Sequence, residues 1–77
     1  MNDLTIDEAI DIAMRNTYRL AMGYDTYENI ISGEYPMFIH DIDNNITQDD
    51  LEFLIEYFET TEEYEKCLDI KNKIDEV

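Results

Sequence analysis

The chain has 77 residues, 44% of them hydrophobic, with six Tyr and three Phe, and its 20 acidic against 5 basic residues give a net charge of −15. A chain this short supports one small core, near the limit at which a fold holds without disulfides or metal, while the negative field repels phosphate backbones and anionic lipids and attracts basic protein surfaces. Direct nucleic-acid binding and membrane binding are thereby disfavoured and neither is expected, and the single cysteine rules out an internal disulfide.

At the start of the chain, Asp3, Asp7 and Glu8 occupy the region where a secretory leader needs positive charge. No apolar run approaches the thickness of a bilayer, so a reducing cytoplasm is the expected compartment. Thr5 and Glu8 have the spacing of a capping box, and Ile6, Ala9, Ile10, Ala13, Thr17, Leu20 and Ala21 follow at helical period. The pattern predicts a first helix over about 6–22, stopped by Gly23, with Asp7, Glu8 and Asp11 early and Arg15 and Arg19 late, as the helix dipole favours. Asp25 and Glu28 repeat the capping spacing ahead of a short helix over about 26–32 that ends at Gly33, with Tyr24 and Tyr27 half buried.

From Glu34 to Asn45 the periodicity breaks. Pro36 disfavours helix at Tyr35, and Asp43, Asn44 and Asn45 carry turn chemistry, which predicts an ordered crossing segment pinned by Phe38 and Ile39. Thr47 with Asp50 caps a third helix over about 48–59, whose apolar stripe is Leu51, Leu54, Ile55 and Phe58. Thr60 with Glu63 offers a further cap, and Tyr64, Cys67, Leu68, Ile70 and Ile74 mark a fourth helix over about 62–75. So short a connection makes the last two helices an antiparallel hairpin, and the expected fold is an all-α single domain of three to four helices.

Several constellations invite a chemical reading. Asp41, Asp43, Asn45, Thr47, Asp49 and Glu52 fall at positions 1, 3, 5, 7, 9 and 12 of an EF-hand-like calcium loop, and Asp41, Asp43, Asn45 and Glu52 would carry the ion. Ile46 stands where such a loop turns on Gly, and the competing reading is an Asx-rich turn leading into the Thr47 cap, so the expected cofactor is none, with calcium as the alternative. His40 and Cys67 do not make a nucleophile pair in this reading, because Cys67 lies on the apolar face of the fourth helix in negative surroundings that disfavour a thiolate. The tyrosines either close a small core or serve as contact residues. Two glycines make no phosphate loop, and the chain is not expected to be an enzyme.

The segment Glu63-Tyr64-Glu65-Lys66-Cys67-Leu68-Asp69-Ile70-Lys71-Asn72-Lys73-Ile74 resembles the second half of a UVR motif, the helical hairpin of excision-repair proteins and of adaptors of Clp-type proteases. Leu68 and Asn72 depart from the family's preferred Ala and Asp; the resemblance implies a hairpin that docks on proteins. The brief, acidic, Tyr-rich chain is also similar to small accessory proteins of tailed bacteriophages, which implies binding to, and modulation or inhibition of, a host protein.

These readings converge on a non-enzymatic binding module. A basic surface of a host protein is its expected partner, met by an acidic face of Glu52, Glu56, Glu59, Glu62, Glu63 and Asp69 together with Tyr57. Mimicry of nucleic acid, blocking a DNA- or RNA-binding enzyme, is the sharper alternative; solubility alone is the plainer one, and a homodimer is compatible with the same hairpin.

Overall fold

The computed structural model describes residues 4–75, so Asp3 lies outside the described residues. Four helices, α1 Ile6–Ala21, α2 Tyr27–Ile31, α3 Gln48–Thr60 and α4 Tyr64–Asp75, make an all-α fold with no strand among the described residues. No helix there is long and apolar enough to cross a membrane.

Local chemistry sets most of the ends. Thr5 Oγ1 accepts the Glu8 N–H at 3.1 Å while the Glu8 carboxylate accepts the Thr5 N–H at 3.0 Å, so two N–H groups that a helix start leaves bare are satisfied. At the other end of α1, the Tyr24 N–H donates to Arg19 O and the Gly23 N–H to Leu20 O, a Schellman closure in which Gly23 takes φ 76°. Thr47 and Asp50 form the equivalent box at α3.

Three boundaries differ from expectation. The cap of α2 is Thr26, whose hydroxyl accepts the Asn29 N–H, while Asp25 accepts the Thr26 N–H from outside the helix. Thr60 continues α3 and bonds back to Tyr57 O instead of capping α4. α4 opens at Tyr64 because Glu62 sits in the left-handed region, φ 61°, where it closes α3: Glu63 N–H donates to Phe58 O and Glu62 N–H to Glu59 O. Tyr24, expected to be half buried, is exposed.

The core lies where α1 crosses the α3–α4 hairpin. Met14, Tyr18, Leu54, Phe58, Cys67 and Ile70 form one buried cluster, with Leu51, Ile55, Ile74, Met22 and Ile39 packed around it. Leu54, Phe58 and Ile70 are fully buried, each worth about 1.5–3 kcal/mol of transfer free energy. Tyr18 and Phe58 meet edge to face at 5.4 Å.

The crossing segment is held largely by polar residues of α1. Asn16 Nδ2 donates to Tyr35 O at 3.0 Å and Met37 O at 2.9 Å, and Thr17 Oγ1 accepts the Ile39 N–H at 3.1 Å. Phe38 packs against the rings of Tyr27 and His40, and Ile39 packs against the core. Thus Asn16 and Thr17, buried on an otherwise apolar helix face, satisfy backbone groups of a segment with no ladder of its own.

Candidate partner-binding surface

α3 contains no Lys or Arg, and Asp49, Glu52, Glu56 and Glu59 are spaced three, four and three residues apart along it. That spacing puts them on one helix face, opposite the Leu54 and Phe58 that anchor α3 in the core, and all four are exposed. They run over about 15 Å of helix, with neighbours about 5–6 Å apart at Cβ. Asp50 is withdrawn from the row, since its carboxylate accepts the Thr47 N–H in the capping box.

Not all the expected face residues share this surface. Glu52, Glu56 and Glu59 do, and Glu62 follows at the turn, exposed. Glu63 turns towards α1 and receives both terminal nitrogens of Arg15, at 2.8 and 2.7 Å, together with Thr61 Oγ1 and Lys66 Nζ. The Arg15 fork, then Thr61 and Lys66, hold its carboxyl down at about 2. Asp69 accepts hydroxyl bonds from Tyr18 at 2.8 Å and Tyr24 at 3.3 Å. Tyr57 is half buried and donates to Asp11 at 2.5 Å; burial first, then that carboxylate, push its hydroxyl up to about 12.

The cations are as unevenly placed as the acids. Arg15 serves Glu63 and Asp11, Arg19 pairs with Asp25, and Lys66 pairs with Glu63. Asp11 is lowered mainly by its bond from Arg15. Lys71 and Lys73 stand exposed near the end of α4. The basic residues nearest the core therefore neutralise carboxylates around it, and among the described residues no ion pair reaches the α3 row.

No known family's sequence profile matches the chain, and comparisons with curated proteins and with solved structures also found no match.

The other candidate residues make the following contacts. Asp41 accepts the Asp43 N–H at 3.0 Å through one carboxylate oxygen and Asn44 Nδ2 at 3.2 Å through the other, which is the Asx-rich turn. Glu52 projects from α3 and accepts from Gln48 Nε2 at 3.1 Å. Among the described residues no three His, Cys, Asp or Glu side chains form a group able to hold a metal. The chain turns at 41–44 and enters α3 at Gln48.

His40 is buried, with Nδ1 at 3.1 Å from Thr17 Oγ1 and Nε2 at 2.5 Å from the Tyr27 hydroxyl. Both ring nitrogens are engaged, and the imidazole ties α1, α2 and the crossing segment together. Cys67 is buried with Sγ 3.5 Å from Ile55 O, and burial, helped by Glu59, pushes its thiol up. An open groove of about 300 Å³ between α1 and residues 29–35 is lined by Ile12, Asn16, Arg19 and Ile30 among others.

Sequence reasoning misses two members of the acidic surface. Asp49 has a visible signal, lying three residues before Glu52, but in sequence it falls equally within the calcium-like loop. Phe53 breaks the apolar stripe and stands 50% exposed beside the row.

Proposed function

We propose that this protein is a non-enzymatic binding module, an accessory protein of phage or bacterial type, whose acidic α3 face docks on a basic surface of a host protein and modulates it. The observation that carries the reading is the row Asp49, Glu52, Glu56 and Glu59, exposed on a helix without a single cation. Such a row speeds encounter with a basic surface and penalises acidic ones, which gives association its rate and its selectivity. The hairpin presents this face on a rigid element, in keeping with its likeness to docking hairpins.

The regular spacing of the row also favours one particular version, in which the carboxylates stand in for phosphates and occupy a nucleic-acid-binding surface. The two versions share a first test. Capture from a bacterial lysate is compared for the wild-type chain and for Glu52→Gln/Glu56→Gln/Glu59→Gln, at low and at moderate salt. A partner lost both with salt and with the triple substitution supports the acidic face; binding indifferent to both refutes it. Competition of that complex by duplex DNA then separates mimicry from docking elsewhere on the partner.

A further inference from the structure

Phe53 is set into the acidic face, half exposed, with Asp49 one turn before it and Glu56 one turn after. On a helix these residues are immediate neighbours, so the ring shares one exposed surface with two carboxylates that have no cation on their own helix.

The same chemistry occurs inside the protein with its cation in place. The Arg15 guanidinium carbon lies 5.7 Å from the centre of the Phe58 ring while its terminal nitrogens fork onto Glu63 and Nε reaches Asp11. A ring and two carboxylates thus satisfy one guanidinium, its face through the π system and its edge through the fork. Lys66 approaches Tyr18 and Phe58 at 5.7 and 6.0 Å but meets Glu63 only as a point charge, at 3.2 Å.

We infer that Phe53, with Glu56 and Asp49, forms a receptor for an arginine side chain of the basic protein partner, the guanidinium stacking on the ring and forking onto Glu56. This inference rests on the acidic-face reading. A second copy of this chain is a poor donor, because its net charge of −15 repels and Arg15 and Arg19 are held by their own carboxylates.

The test uses the full chain and two fluorescent peptides of equal length, one of arginine and one of lysine, titrated by anisotropy at low and moderate salt. The wild type is expected to bind both in a salt-sensitive way and the arginine peptide about 2–5-fold more tightly. Phe53→Leu should erase that preference while leaving lysine-peptide affinity in place, and Phe53→Tyr, which keeps the π face, should retain it. Equal affinity of the two peptides for the wild type, or a preference that survives Phe53→Leu or is lost in Phe53→Tyr, overturns the arginine receptor while leaving the acidic face standing. If neither peptide binds, or Glu52→Gln/Glu56→Gln/Glu59→Gln binds both as the wild type does, the acidic-face reading itself fails.

Discussion

A row of like charges carries a cost in the free protein, and removing it should stabilise the fold. In Glu52→Gln/Glu56→Gln/Glu59→Gln three repulsive neighbour contacts disappear, Asp49 with Glu52, Glu52 with Glu56, and Glu56 with Glu59. Each is worth about 0.2–0.5 kcal/mol on an exposed helix face. Glu59 also lies in the last turn of α3, where removing a negative charge relieves about 0.3–1 kcal/mol against the helix dipole. The amide oxygen that replaces the Glu52 carboxylate can still accept from Gln48, so no hydrogen bond need be lost. The net gain is about 1–2 kcal/mol at low ionic strength, a rise in melting temperature of about 4–8 °C per kcal/mol in a domain this size. The assay is thermal unfolding by circular dichroism across a salt series, and the advantage of the variant should shrink as the Debye length falls from about 30 Å at 0.01 M to about 10 Å at 0.1 M. A variant that melts at or below the wild-type temperature in low salt would refute the premise that these carboxylates are unpaired and mutually repulsive. Combined with lost partner binding, the expected rise also distinguishes a charge row kept for recognition from one kept for solubility, which predicts stabilisation with binding intact.

Further expectations concern the framework behind the surface. Because the Glu63 carboxyl is held at about 2 against an ordinary 4.5, its contribution is fully present above about pH 4.5 and is lost as pH falls towards 2. With partly exposed partners, Glu63→Gln should cost about 1–2 kcal/mol at neutral pH, and the gap between wild type and variant in acid-unfolding curves should close over that window. Glu62→Gly should stabilise the hairpin by about 1 kcal/mol in urea unfolding, since the left-handed φ of 61° strains a side chain and suits glycine. Thr17→Val keeps the shape but strands the Ile39 N–H and removes the His40 partner, so it should cost about 1–3 kcal/mol and speed amide exchange at Ile39, with little change in the packing of Tyr18 on Phe58.

The helices were readable because their signals are local. Capping boxes at Thr5 and Thr47, the apolar stripes of α1 and α3, and the short link before α4 each act within a few residues, and they place four helices and a hairpin without reference to the rest of the chain. Where two local signals competed, sequence spacing alone could not arbitrate: Asp25 and Thr26 both have cap chemistry, and the hydroxyl of Thr26 is the one that reaches the Asn29 N–H. The buried roles of Asn16, Thr17 and His40 carried no local mark, since their partners lie 13–23 residues away.

The sequence by itself also determined that acids would dominate, 20 against 5 basic residues. Which of those acids remain available was decided only by the tertiary structure. Glu63 and Asp69 look in sequence like members of one solvated face with Glu56 and Glu59, but α1 crosses the hairpin and brings Arg15 to the first and Tyr18 to the second across 48 and 51 residues. Pairing between helices depends on where their buried faces meet, and charge counting along a chain does not see it. The same crossing buries Phe58 in the core and leaves Phe53, outside the apolar stripe, half exposed.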